Sequence, residues 1–557
     1  MTERPPAPAP NAGYVELHCH SAYSLLDGAS HPDALVARAR RLGFPALALT
    51  DHDELGGAVA FAQAADDAGL GGIIGAEVTV RHEGPPPDAG DSHLVLLAES
   101  REGYANLSTI ITRARMESGR GQPGVSLDVV AQHAAGLFAL TGCPRGWVPR
   151  RVARDDPDGA CEAAATLLDI FAGRVAIECW DHGLEEERRL VPPLIAIARA
   201  LDIPWVVTND VHYAEPRGRV VHDVLSALRH QRTLDTMGTR LRPNGEWYLK
   251  SARQMARRWQ QHPEGLSATL AIAERCAFRM YELEPTLPTF PLPPGVTADE
   301  YLARLVEAGA AERIPGFREA ATPPAGEAAA PPSGSGGWRR LGEWGFPSST
   351  TSPRPTGRFP KAVRPLPQAG AAGASPAGSA GASLYRTQIA HELDVIRKLG
   401  MAGYFLIVWD IVRFSRREGI LCQGRGSAAN SVVCFCLGIT AVDPVKLGLL
   451  FERFLSEDRE GAPDIDIDFA HRDRERVLQY VYDRYGREHA AMVCEQITYR
   501  TKSAIRDAAR VLGFSVEQAD ALSLHSDHFQ GDDHPAPNAS GPATPNAATP
   551  PPSPFPL

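Results

Sequence analysis

The chain has 557 residues, 43% of them hydrophobic, and a formal net charge of -10. That length and apolar share are enough for several domains with their own cores, while the acidic balance excludes a globally basic nucleic-acid binder, so any contact with DNA has to come from local patches. No apolar run reaches membrane-spanning length, "MTERPPAPAPNAGY" has no signal-like apolar centre, and nine irregularly spaced cysteines fit the reduced thiols of a cytoplasmic chain with no membrane partner.

Residues 1–13 carry no apolar pattern and are expected to be disordered. From 14 to 317, apolar runs at "YVELH", "PALALT", "GGIIGAEV", "HLVLLA", "LFALTG", "RVAIEC" and "PWVVTND" alternate with amphipathic stretches. One such stretch is 32–42, where Ser30 or His31 can cap and Pro32 suits the first turn. Seven strands separated by helices predict an α/β domain, a parallel barrel or a doubly wound sheet, with chemistry gathered where strands end and loops begin. The candidate ligands fall there. His18 and His20 end the first run, Asp27 lies in the next loop, His52 ends the second run and Glu77 the third. His93 opens the fourth, Cys143 follows the fifth, and Asp210 and His212 follow the seventh. Imidazole, carboxylate and thiolate are ligand types for zinc, manganese or iron, and this many at strand ends match the needs of a polynuclear site. Any one His or Cys alone suits an interior position equally well.

Residues 318–383 are Ala, Pro, Gly and Ser with scattered Arg, too poor in apolar periodicity to bury a core, and 525–557 read the same way; both are expected to be disordered. Between them, 384–524 form a second structured segment of α+β character. In "ILCQGRGSAANSVVCFCLGIT", Gly424, Arg425, Gly426 and Ser427 precede an apolar helical stretch. Backbone N–H groups and a helix N-terminus there can hold phosphates with Arg425 adding charge, although a plain turn before a core helix reads identically. In "GAPDIDIDF", Asp464, Asp466 and Asp468 alternate with isoleucines, which puts three carboxylates on one face of a strand. Such a cluster is repulsive when bare and favourable around a divalent cation; a solvated edge strand with an acidic face is the other reading. A phosphate cradle beside paired carboxylates is the arrangement in which two magnesium ions bridge a triphosphate during nucleotidyl transfer.

The front motifs "LHCHSAYSLLDG", "LALTDHD", "GAEV", "HLVLLA", "LTGC" and "TNDVHY" resemble the polymerase and histidinol phosphatase (PHP) domain. That resemblance implies a distorted seven-stranded β/α barrel, a trinuclear metal site at His18, His20, Asp27, His52, Glu77, His93, Cys143, Asp210 and His212, and metal-assisted phosphoester hydrolysis. The back motifs "GRGSAANS", "LLFERFL", "PDIDIDF" and "YGREHAAMVCEQITYRTKSAIRDAARVLG" resemble the palm of C-family bacterial replicative polymerases, alpha-subunit type, whose N-terminal domain is a PHP domain. "GRGSAANSVVCFCLGITAVDP" and "NGEWYLKS" (244–251) are most similar to their error-prone, damage-tolerant branch.

The combined resemblance implies a PHP-type barrel followed by a partial nucleotidyltransferase-type palm. The implied reaction is template-directed deoxynucleotidyl transfer in damage-induced mutagenesis and translesion synthesis. Asp466 and Asp468 would be the magnesium-binding catalytic pair, with Gly424, Arg425, Gly426, Ser427 and Arg453 at the triphosphate. Primer-template DNA, deoxynucleoside triphosphates and other replication or mutagenesis proteins would be the partners. The family's third palm aspartate and its fingers lie farther downstream than this sequence runs, so the chain reads as truncated and catalytically incomplete. Two other functions therefore stay open: a PHP phosphoesterase or exonuclease working through the front site alone, and a non-catalytic fragment that binds DNA or partners.

Overall fold

The computed structural model describes residues 13–82, 90–283, 289–318, 379–456, 462–487, 489–493 and 496–524. The expectations for residues 1–12, for 319–378 of the insert and for the tail at 525–557 lie outside the described residues. Two compact units form, one within Met1–Glu284 and Gln496–Leu557, the other within Pro285–Glu495. Residues 289–318, grouped with the front segment on sequence, pack in the second unit, where Leu302, Val306 and Ala310 share a core with Phe405, Phe451 and Phe454. Residues 496–524 pack in the first, through Val511 against Ala227 and Met237. Periodicity reports that a helix face is buried, not which core buries it.

In the first unit the strands are β1 (Ala46–Leu49), β2 (Gly71–His82), β3 (Gly90–Ala98), β4 (Val125–Ser126), β5 (Leu137–Leu140), β6 (Val175–Cys179) and β7 (Trp205–Val207). The ladder runs β1-β2-β3-β5-β6-β7, with β4 paired to β2. Contrary to the all-parallel expectation, β3 is antiparallel to both β2 and β5. His82 stands opposite Gly90, so the two strands are close in sequence and pair antiparallel, the arrangement that needs no long crossover.

The ladder is an open path from β1 to β7 rather than the seven-stranded barrel expected. The "YVELH" run is not a ladder strand; it touches its neighbours through single parallel bridges, Glu16 to Leu47 and Cys19 to Val211. Side chains take the amides that a ladder would need. Val15 N donates to Thr269 Oγ1, His18 N to Glu16 Oε1 and Cys19 N to Thr50 Oγ1.

Both faces of the sheet are covered. Leu47, Leu49, Ile74, Ala76, Leu94, Leu96 and Ile177 pack on one side with the helices, and Ala48, Ile73, Val95, Leu97, Leu140, Ala176 and Val206 on the other. Because the side-chain period is two, Glu77, His93 and Glu178 continue the second row, so the interior apolar layer gives way to polar ligands at its end.

The second unit is helical around one core, with helices Ala298–Arg313, Ser379–Lys398, Ala402–Arg417, Val432–Cys436 and Arg474–Tyr485. Its β8 (Cys422–Arg425) and β9 (Asp466–Phe469) form an antiparallel pair with Gly424 opposite Ile467 and Arg425 opposite Asp466. Buried Glu392 joins the first of these strands' loop to the core: its carboxylate accepts from Ser431 Oγ at 2.7 Å and from Val432 N and Val433 N at 3.0 Å, capping Val432–Cys436.

Candidate metal centre and paired acidic strand

The front ligands arrive from separate elements. His18 and His20 lie on the bridged segment, Asp27 in the loop after it, His52 past β1, Glu77 on β2, His93 on β3, Cys143 past β5, and Asp210 and His212 past β7. The loops are held in unusual conformations: Leu26 has φ 59°, Asp53 φ 50° and Asp210 φ 41°, all in the left-handed region that costs a residue with a side chain. Three groups result, each with its donor atoms within 4.8 Å of one another: His18, His20 and Asp210; Asp27, His212 and His222; His52, Glu77 and His93.

Glu77 ties the groups together. Its carboxylate lies 2.8 Å from His52 Nδ1, 2.8 Å from His93 Nδ1 and 3.5 Å from His18 Nε2. His18 Nε2 is 3.1 Å from His20 Nε2, and Asp210 Oδ1 is 3.5 Å from His20 Nε2 and 3.2 Å from His212 Nε2. Cys143 is outside the three groups, with its Sγ 3.4 Å from His93 Nδ1. Burial, then Glu77 and Asp210, push its thiol well above the usual range.

The electrostatics are those of carboxylates and imidazoles packed closely against one another. Burial alone would raise Glu77, but His93, His18 and His52 outweigh it and hold the carboxyl well below its usual range. Burial lowers His52, yet Asp53 and Glu77 bring it up to about 10. Burial, then Arg242, depress His212 to about 3. Arg242 donates to His212 Nε2, lies 3.6 Å from Asp210 Oδ2 and stacks 4.4 Å over the Trp247 ring. Glu77 Oε1, His93 Nε2, Asp27 Oδ1 and His212 Nδ1 are buried without an aligned hydrogen-bond partner among the described residues. Unsatisfied lone pairs crowded among imidazoles and carboxylates are what bound cations would resolve, so the donor set fits transition-metal ions.

Two contributors escaped the sequence reading. His222 faces Asp27 Oδ1 at 3.4 Å from helix Gly218–Arg229, whose amphipathic pattern gave no reason to single it out. Glu178, fully buried on β6, sits 2.7 Å from His18 Nδ1 and orients that ring. A lone Glu in the apolar run "VAIEC" was the available signal. Beside the centre opens a cleft of about 1090 Å³ lined by Asp27, His52, Arg81, Arg115, Arg145 and Arg229 among others.

In the second unit, the β8–β9 pairing brings the glycine-rich loop and the aspartates together. Arg425 lies 3.4 Å from Asp466 Oδ2 and 3.1 Å from Asp468 Oδ1. Gly426 has φ 68°, and a Cβ there would stand 3.3 Å from Asp466 Oδ2. Gly424 is excluded from carrying a side chain because a Cβ would sit 2.6 Å from the Ile439 carbonyl. Ser427 Oγ is 3.5 Å from the Asp464 carbonyl, and Asp464 precedes β9 rather than sharing its ladder. Arg453 is exposed on the turn Phe451–Arg453 and makes no ion pair with Asp466 or Asp468 among the described residues. The aspartates do not form a group of three converging ligands among the described residues.

Comparison with known proteins follows these two regions. Residues 16–182 match the PHP domain family, and residues 366–537 match the bacterial DNA polymerase III alpha NTPase domain. The chain is 42% identical over 531 residues to an error-prone DNA polymerase of Mycobacterium tuberculosis (strain H37Rv), covering 94% of this chain and 42% of that protein. It is 43% identical over 540 residues to one of Anaeromyxobacter dehalogenans (strain 2CP-C), covering 92% and 45%. The chain thus spans less than half the length of these relatives. A crystal structure described as a putative metal-dependent phosphoesterase from Bifidobacterium adolescentis aligns with 37% of this chain and 89% of its own at 19% identity and a TM-score of 0.27.

Proposed function

We propose, for a chain that belongs to the error-prone branch of the C-family bacterial DNA polymerases, that it represents the PHP and partial palm portions of an enzyme of template-directed deoxynucleotidyl transfer in damage-associated synthesis. The observation that carries this reading is the β8–β9 pair, which sets Arg425 of the glycine-rich loop against both Asp466 and Asp468. Two carboxylates at alternate positions, Asp466 half-buried and Asp468 exposed, suit magnesium, which when bound would screen the triphosphate and activate the primer hydroxyl. The residues themselves supply position and charge. With Asp466 and Asp468 engaged elsewhere, the Arg425 guanidinium is released to phosphate oxygens, a bidentate role it fits better than Lys would. Gly426 keeps the loop backbone close to the acids because no Cβ intervenes. The partners under this reading are primer-template DNA and deoxynucleoside triphosphates, and no helix among the described residues is long and apolar enough to cross a membrane.

The test is magnesium-dependent binding of a fluorescent deoxynucleoside triphosphate, run beside primer extension. Asp466→Ala and Asp468→Ala should each weaken binding at least tenfold with the fold intact. Magnesium-dependent nucleotide binding unchanged in both variants would refute the assignment, as would primer extension by the unaltered chain that survives in both.

A second reading, a PHP phosphoesterase, is supported by the three converging ligand groups beside an arginine-lined cleft. His18, His20, Asp27, His52, Glu77, His93, Asp210, His212 and His222 would hold zinc, manganese or iron, with Cys143 beside His93. Such ions acidify water and polarise phosphoryl oxygen. Arg145 and Arg229 can orient an anionic ester. Metal-dependent cleavage of bis(p-nitrophenyl) phosphate, lost in His52→Ala, tests it; equal turnover in the variant would remove the reading.

A further inference from the structure

The segment "NGEWYLKS" has no role in either reaction, yet it contains Lys250, a lysine only 2% exposed. Its ammonium donates 2.9 Å to Asn209 Oδ1, contacts the Glu246 carbonyl and lies 4.5 Å over the Tyr248 ring. Asn209 in turn spends both amide protons on this segment, 2.8 Å to the Glu246 carbonyl and 2.9 Å to the Tyr248 carbonyl. These acceptors are two residues apart and so lie on one edge of an extended chain. The Asn209 backbone is also saturated: its N–H donates to Glu16, and its carbonyl is 2.9 Å from His182 Nε2. On the far side of Asp210, His212 N donates 2.9 Å to the Trp247 carbonyl, and Leu249 N donates 3.1 Å to the Tyr213 carbonyl.

Between these anchors stands Asp210, whose φ of 41° lies in the left-handed region that a residue with a Cβ adopts at a cost. A backbone in that region persists only where its surroundings over-determine it. Its carboxylate faces His18 and His20 of its own candidate ligand group and His212 of the next, so the strained residue also joins two groups.

We infer that Lys250 and Asn209 are positioning residues of the front metal centre: together they clamp Asp210 in its left-handed conformation so that its carboxylate meets His18 and His20. The inference rests on the metal-binding reading of that centre. It assigns the "NGEWYLKS" segment to holding the last ligand loop, with Lys250 touching no ligand itself. A charge buried solely for stability would be replaceable by an apolar side chain of similar length; one that fixes a ligand loop would not.

The test uses the whole chain, stripped and then titrated with zinc against a chromophoric chelator, and separately loaded with cobalt(II) for its visible absorption bands. Lys250→Met and Asn209→Ala should each weaken zinc binding by roughly 10- to 100-fold, the usual effect of losing a residue that orients a ligand, and should alter the cobalt bands. Ser100→Ala is the control. It removes the side-chain N-cap of helix Arg101–Met116, touches neither Asn209 nor the 244–251 segment, and should leave both readouts unchanged. In the unaltered chain, zinc should slow hydrogen exchange at 209–213 and 246–250 together, a measurement that does not depend on any variant folding. Wild-type zinc affinity and cobalt bands in both folded variants, or zinc protection of 209–213 without 246–250, would overturn the clamp alone. Failure of the unaltered chain to bind zinc or cobalt would overturn the metal-binding reading and the clamp with it.

Discussion

Replacing Glu392 by Ala isolates what the core must do for the glycine-rich loop. The carboxylate accepts four bonds, from Ser431 Oγ, Val432 N, Val433 N and Gln388 Nε2. Ser431 and Gln388 can turn to other partners, but the two backbone N–H groups start a buried helix and have nowhere else to go. Each orphaned donor costs about 1–3 kcal/mol. Against that stands the relief of no longer burying a carboxylate, which burial raises above its usual pKa despite these bonds. The net loss should be about 3 kcal/mol, what two orphaned donors cost together once that relief is subtracted, and therefore roughly a hundredfold in local opening. Hydrogen exchange at Val432–Cys436 reads this directly, and magnesium-dependent nucleotide binding reads its consequence for the loop at 424–427. Glu392→Gln, with one acceptor oxygen kept, should fall between. The sign with pH follows from the raised carboxyl: the folded state holds the proton more tightly, so this group's contribution falls as pH climbs from the unfolded value of about 4.3 to the raised folded one. Exchange rates in Glu392→Ala within threefold of the unaltered chain would show that the four bonds are incidental and refute the capping argument.

Metal should stabilise the first unit: zinc at a hundred times its dissociation constant should add about 2.7 kcal/mol per independent site, and an unchanged melting curve would count against the centre. The metal-free chain should be acid-labile, because Glu77 is held well below its usual range; its contribution is present above the unfolded value of about 4.3 and lost as pH falls through the depressed one. An acid melt of Glu77→Gln that overlays the unaltered chain would contradict this. Gly426→Ala should cost about 1–2 kcal/mol, since Ala must adopt φ 68°, and should displace Asp466 by a few tenths of an ångström. Nucleotide binding should therefore fall more than global stability does, and equal nucleotide affinity with the fold intact would argue against a close loop.

How far the sequence could be read depended on whether a signal was local. Apolar runs located six of the strands because a buried strand has to be apolar wherever it pairs. The bridged segment at 14–20 looked the same in sequence, and only the distant acceptors Thr50 and Thr269 turn its amides away from a ladder. The reversal of β3 follows from strand ends at His82 and Gly90, which the apolar runs, ending at Val78 and opening at His93, do not mark. At the metal centre, residues at strand ends announced themselves by position, whereas His222 had no such mark on an ordinary amphipathic helix.

Asn209 is the sharpest case of what spacing cannot say. It sits inside the "TNDVHY" motif beside two candidate ligands, yet nothing about an Asn in a loop distinguishes a turn former from a residue whose every polar group is committed. Its partners, Glu246, Tyr248 and Lys250, are far along the chain, and a lysine in sequence reads as solvent-exposed by default. The spatial pairing explains both oddities: a positively charged side chain accepts burial where the Glu246 carboxylate lies 3.4 Å away and the Asn209 amide oxygen accepts from it, and that amide holds the next residue in a conformation only a rigid surround permits. Candidate ligands are recognisable as a set because they recur at strand ends; residues that aim them are recognisable only as pairs, and the pairs exist only in the fold.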